Sequence, residues 1–185
     1  MRTLIFAFSR CDLMNQMFCS HWILLAVLLL LAPLAQAGFD EAVEAANAGD
    51  FDKAFKEFSV LAEQGDERAQ QSLGWMYYEG QGRDVDYTQA LYWYRKAAEQ
   101  DNITAQINLA QMYAYGQGVV QDFSQAAHWW RKLAEQGDTR SQAALGGLYY
   151  QGQGVKQDYV EAAKLWRLAA EQGHVEAQMN LGLMY

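Results

Sequence analysis

The chain has 185 residues, 51% of them hydrophobic, enough to build the core of one ordinary domain. With 22 acidic against 14 basic residues its formal charge is −8, which argues against nucleic acid or an anionic lipid surface as partner, since both require a basic face. Its two cysteines, Cys11 and Cys19, both precede Ala37, so the rest of the chain must hold together by packing, without disulfides.

The first element is an apolar run, Ile23 to Leu31 (ILLAVLLLL), followed by Pro33 and then Ala35-Gln36-Ala37. A run of roughly 7–15 apolar residues ending in a small-x-small site is the pattern of a cleaved secretory signal. A spanning helix needs about 20 apolar residues, more than Trp22 to Leu34 supply. Residues 1–37 are therefore expected to be a signal peptide, with Met1, Met14 or Met17 as its start. The mature chain is expected to be periplasmic or secreted, with no membrane insertion after cleavage. Loss of Arg2, Arg10 and Asp12 takes the acids from 22 to 21 and the bases from 14 to 12, a charge of about −9.

Residues 38–68 read as a tetratricopeptide-like hairpin that caps the N-terminal end. A helix from Phe39 to Ala48 joins, through Ala48-Gly49-Asp50, a second helix with Phe51, Ala54, Phe58, Leu61 and Ala62 on one face. From Ala69 the chain repeats itself every thirty-six residues: repeat 1 is 69–104, repeat 2 is 105–140, repeat 3 is 141–176, and 177–185 begins a fourth.

Each copy reads as two helices. In the first, Ala69, Leu73, Met76 and Tyr77 form an apolar stripe, beside which stands a small residue each time: Gly74, Ala110, Gly146, Gly182. A glycine inside a helix costs about 1 kcal/mol against alanine, so a close helix crossing is expected there. Gly80, Gly116 and Gly152 stand where the first helix ends, and Gly82, Gly118 and Gly154 permit a second sharp bend. Asp86, Asp122 and Asp158 then precede the next apolar-periodic run as N-caps. Gln89, Gln125 and Glu161 stand three residues later, where the reciprocal half of a capping box belongs. This reading makes the Gly-x-Gly loop architectural. It lacks the clustered carboxylates of a calcium loop and the lysine of a phosphate loop.

In the second helix small alanines alternate with large side chains: Tyr87, Ala90, Leu91, Tyr94 and Ala97, matched by Trp130 and Trp166 later. Arg95, Arg131 and Arg167 stand four before Glu99, Glu135 and Glu171, the spacing of a surface ion pair. Gly65, Gly137 and Gly173 close these helices, and Asp101 takes the same slot, where a residue tolerant of positive φ is needed.

These lines resemble the Sel-1-like repeat family, the longer-looped relative of tetratricopeptide repeats. The resemblance rests on Ala-x-x-x-Leu-Gly-x-x-Tyr, Gly-x-Gly-Val-x-x-Asp-Tyr and Ala-Ala-Glu-Gln-Gly, and it covers Ala69 to Tyr185. Arg83 replaces the valine, Ala110 a glycine and Asp101 a glycine. It implies an all-α fold, a right-handed αα-solenoid of helix-turn-helix repeats, and a role as an adaptor in protein complexes, often in bacterial envelopes. An exported branch with a disulfide in each repeat does not match, because the mature chain would have no cysteine.

Catalytic chemistry finds little support. Beyond residue 37 the histidines are His128 and His174, at non-equivalent repeat positions and outside any metal-ligand spacing. No serine has the setting of a nucleophile elbow. No cofactor or metal is expected, and Asn102-Ile103-Thr104 fits a glycosylation sequon that matters only in a eukaryotic secretory pathway. A solenoid instead offers an extended concave surface. By the resemblance, first-helix residues off the apolar stripe line it: Arg68, Gln71, Trp75 and Tyr78, then Ile107 and Gln111, then Arg140 and Tyr150, then Met179. Some of these are equally able to pack against the next repeat.

The expected function is a non-enzymatic scaffold that binds a protein or peptide in this groove. The alternative is a cell-wall or polysaccharide-associated factor, a glycan binder or a hydrolase. The sequence stops one helix into a fourth copy, with Leu181, Met184 and Tyr185 on an uncovered stripe. Either the chain is a piece of a longer repeat protein, the simpler account, or it self-associates through this end.

Overall fold

The computed structural model describes residues 36–184. The expected signal segment up to Ala35, with Cys11, Cys19 and the candidate starts, lies outside them, as does Tyr185. Among the described residues the chain is entirely helical. α1 covers residues 36–47, followed by α2 (Phe51–Glu63), α3 (Glu67–Glu79), α4 (Tyr87–Glu99) and α5 (Ile103–Tyr115). α6 (Phe123–Glu135), α7 (Thr139–Gln151), α8 (Tyr159–Glu171) and α9 (Val175–Gly182) complete the series. Each helix packs on its chain neighbours and α3 also touches α5 across a repeat boundary, so the pairs stack as an αα-solenoid. None of the described helices is long and apolar enough to cross a membrane.

Helix ends follow the repeating residues. Gly80, Gly116 and Gly152 adopt φ of 71°, 69° and 68° as C-caps, and Gly80 donates its N–H to the Met76 carbonyl. Asp86, Asp122 and Asp158 cap α4, α6 and α8 through their carboxylates. The reciprocal half of the capping box does not form. The N–H of Asp86 already donates to the Tyr77 carbonyl, as Asp122 does to Tyr113 and Asp158 to Tyr149, all at 2.9 Å. The loop doubles back on its own first helix, leaving no free donor for Gln89, Gln125 or Glu161. The first helices carry caps that the sequence reading passed over: Asp66, Asn102, Asp138 and, on α9, the Nδ1 of His174.

The Asp122 carboxyl is held below its ordinary value of 3.8, first by the Ser124 hydroxyl and then by the Gln125 N–H. A depressed folded-state value stabilises fully above the unfolded value and is lost as pH falls through the folded one. Asn caps a helix about as well as Asp but does not titrate. Asp122→Asn is therefore expected to melt like the parent near neutrality and to lose less stability on acidification towards about pH 2. Parallel melting curves across that range would remove the cap's carboxylate from the acid response.

The small residues on the first helices set how deeply the second-helix aromatics sink. A Cβ on Gly74 would stand 2.6 Å from the Tyr94 ring, and one on Gly146 would stand 2.7 Å from the Trp166 ring. Both aromatics are almost fully buried, at 1% and 4% exposure. At Ala110 a methyl already occupies this space, and its partner Trp130 remains only partly buried against the neighbouring clusters. Trp130 is thus half-buried where Tyr94 and Trp166, over glycine, are buried.

Four contacts between neighbouring units depart from the sequence reading or add to it. Arg95 and Arg131 do not pair with Glu99 and Glu135. They reach the hydroxyls of Tyr113 and Tyr149 in the next repeat, at 2.6 and 3.2 Å, because stacking brings that helix closer than the exposed glutamate. Arg83, standing where later loops carry valine, lays its guanidinium 3.0 Å from the Phe55 ring centroid and so covers the N-terminal hairpin. Asp101 adopts φ 67°, as its glycine slot demands, and adds an ion pair to Lys132 that glycine could not make.

Candidate functional site

The first helices α3, α5, α7 and α9 carry the residues expected to form a groove. Arg68 is half-buried and already engaged. It donates to Asp66 at 2.8 Å and to Gln36 at 2.7 Å, and its guanidinium lies 4.2 Å from the Phe39 ring centroid. Burial acts to raise the Asp66 carboxyl, but the Arg68 hydrogen bond and the Ala69 N–H outweigh it and hold the group below the ordinary carboxylate value. Gln71 and Ile107 are half-buried, while Gln111 and Arg140 are exposed. Trp75 keeps 39% of its surface in solvent, Tyr150 44% and Met179 64%. Tyr78 is more of a packing residue. Its ring sits edge-on to Tyr87 at 5.2 Å, and its hydroxyl accepts from the Gln117 amide at 3.1 Å, tying repeat 1 to the loop of repeat 2.

Between α7 and α9 this face deepens into a cavity of about 420 Å³. Of the nine residues singled out, it gathers Arg140 and Tyr150; the other seven lie along the face outside it. Its floor is Ala143, Gly147 and Trp166, whose indole Nε1–H donates to the Ala143 carbonyl at 3.0 Å. The far wall comes from α9 and the residues flanking it, with Leu183 and Met184 apolar and His174, Glu176 and Asn180 polar. The sequence reading set His174 aside as a metal ligand and passed over Asn180. The available signal was the pair Ala143 and Gly147, which stand where repeat 1 has Gln71 and Trp75 and repeat 2 has Ile107 and Gln111.

Behind this face runs a row of glutamines that the sequence reading also missed. Gln70, Gln106 and Gln142 are buried at 3%, 0% and 4% exposure. Each donates its amide to the carbonyl of Ala62, Ala98 or Ala134 at the end of the preceding helix. Gln100 and Gln172 in turn donate to the carbonyl oxygens of Gln70 and Gln142. The row satisfies helix-end carbonyls that stacking removes from water, and it fixes the first helices in register. Among the described residues no group of three or more His, Cys, Asp or Glu is placed to hold a metal ion.

A family model described as Sel1 repeat matches residues 68–102, 103–138, 139–174 and 175–185. Among solved structures, the chain is similar to a protective antigen of uropathogenic Escherichia coli that displays an SLR fold. The TM-score is 0.77 and the identity 40%, covering 83% of this chain and 34% of that one. It is similar also to a Sel1 repeat protein from Oxalobacter formigenes, with a TM-score of 0.68 and 37% identity over 80% of this chain and 60% of that one. The chain thus spans about a third and three fifths of these two proteins. Cysteine rich protein B of Helicobacter pylori shares the fold, with a TM-score of 0.53 and 23% identity over 71% of this chain and 95% of that one. No curated protein matches the chain.

Proposed function

Since the chain belongs to the Sel1 repeat family, we propose that it is an adaptor that binds a protein or peptide along the first-helix face, without chemistry of its own. We place it, by its apolar leader and Ala35-Gln36-Ala37, in the periplasm or outside the cell. Members of this family typically serve as protein-interaction scaffolds, and the groove is what this chain would use for that. The observation that carries the reading is the partly exposed large side chain of Trp75, on a helix whose core stripe is already satisfied. Trp75 makes no ring contact or hydrogen bond with another described residue. A large aromatic left partly in water without a partner is the usual anchor of binding energy at an interface.

The test compares capture of proteins from envelope extract with sedimentation on purified peptidoglycan, using the parent and Trp75→Ala. The parent is expected to capture a discrete partner and to stay in the supernatant with peptidoglycan. Trp75→Ala is expected to weaken capture about tenfold or more, a loss of about 1.4 kcal/mol or more, with the melting temperature unchanged. Sedimentation with peptidoglycan, unaltered by the variant, would favour a glycan-binding role instead.

A further inference from the structure

We propose that the cavity between α7 and α9 is a side-chain pocket that receives a large apolar residue of an extended peptide, with Arg140 at its rim holding a carboxylate of the same peptide. The inference rests on the groove reading above and adds which part of the groove selects, and for what. It begins from Gly147. A glycine in a helix interior is disfavoured against alanine and calls for a reason. Gly74 and Gly146 have one, an aromatic ring pressed on the backbone. Gly147 has none, since a Cβ built there would meet nothing within 4 Å. What its missing side chain provides is space, in the floor of a 420 Å³ cavity. That volume lies within the roughly 300–1,000 Å³ of ligand pockets. Repeats 1 and 2 carry Trp75 and Gln111 at the equivalent position.

The walls define the apolar part of the occupant. Trp166 lies beneath the cavity with its N–H spent on the Ala143 carbonyl, so no polar group rises from the floor, and Tyr150 stands over it with ring centroids 5.4 Å apart. Leu183, which holds the position of Gly147 one copy later, closes the opposite side. The rim defines the charge. Arg68 and Arg140 hold equivalent positions, each two residues after a capping aspartate, Asp66 or Asp138. Arg68 is neutralised by Asp66. Arg140 makes no ion pair among the described residues, and Asp138 is occupied by the Ser141 N–H at 2.7 Å. An unpaired guanidinium complements a carboxylate locally, against the repulsion of the chain's overall charge of −8, and its planar donors suit that shape. His174 accepts from the Ala177 N–H through Nδ1, which leaves Nε2 as the protonated nitrogen of the neutral ring and a second donor at the rim. Glu176 is the one acid among the lining residues, so the pocket takes a single carboxylate beside its apolar side chain and disfavours a run of acids.

The test pans a phage-displayed library of random dodecapeptides on the full chain. Enriched sequences are then made as fluorescein-labelled peptides and titrated against the parent, Gly147→Leu, Arg140→Glu and Trp75→Ala. The enriched peptides are expected to place Asp or Glu within three residues of Phe, Tyr, Trp, Leu or Met. Gly147→Leu, which fills the pocket, and Arg140→Glu are each expected to weaken binding about tenfold or more. Gly147→Leu has a better helix former in open space, so its melting temperature should not fall, and Gly147→Ala provides a smaller filler if it does. Peptides that bind and respond to Trp75→Ala but not to Gly147→Leu or Arg140→Glu would overturn the pocket while leaving the groove reading intact. No enriched peptide would overturn both, and competition by soluble muropeptides at the same site would replace the peptide with a glycan.

Discussion

Tyr94→Ala is expected to destabilise the chain by about 3–5 kcal/mol, the range for truncating a large buried aromatic. Tyr94 is 1% exposed and lies over Gly74, so its ring is what holds α4 against α3 and joins repeat 1 to the cluster formed with α5. Its flanking neighbours on that face, Ala90 and Ala97 at 0% exposure, are too small to reach into the void. Trp130→Ala, at the equivalent position of repeat 2 and opposite Ala110 in the period, is expected to cost less, about 1–3 kcal/mol, since that indole is only partly buried. Urea unfolding of the two variants beside the parent would read the difference. Equal losses would show that the small first-helix residue does not govern aromatic burial.

Gly118→Ala is expected to cost about 2–5 kcal/mol through two separate causes. Its φ of 70° is left-handed, a region that alanine enters at a penalty. In addition, the new Cβ would be driven into the backbone of Tyr87 and Thr88, where the loop of repeat 2 lies on the start of α4. Backbone in a helix cannot swing aside as a side chain can, so the repeats must separate locally. Gly154 meets the backbone of Phe123 and Ser124 in the same way, and Gly82 meets Phe51. Gly137→Ala supplies the comparison: φ is 91° and no atom lies within 4 Å, so only the conformational penalty of about 1–2 kcal/mol applies. Melting temperatures of Gly118→Ala and Gly137→Ala that fall together would show that close approach between repeats adds nothing.

The second glycine of each loop also shows where sequence reasoning stops. A Gly-x-Gly pair before a capping aspartate announces a turn, but not that a neighbouring repeat rests on it, since the contact lies thirty or more residues away. The aspartate caps, the left-handed Gly80 series and Asp101 were legible because each depends only on adjacent backbone. Arg95 and the glutamine row were not. The spacing of Arg95 and Glu99 is right for a pair on an isolated helix, yet the Tyr113 hydroxyl of the next repeat is the partner in the stack. Gln70, Gln106 and Gln142 look like ordinary polar helix residues until stacking sets helix-end carbonyls above them. In the candidate site, the individual side chains could be named from the period. The cavity could not, because it arises from what Ala143 and Gly147 leave empty opposite α9.

The central claim, that the first-helix face is where a partner binds, is tested most directly by site-specific photo-crosslinking in cells that make the protein. Benzoylphenylalanine would replace Gln111 or Met179 on the first-helix face, and Tyr92 or Val160 on exposed positions of the second helices. The account predicts one discrete protein adduct, shared by Gln111 and Met179 and absent from Tyr92 and Val160. An adduct formed only from Tyr92 or Val160 would contradict it.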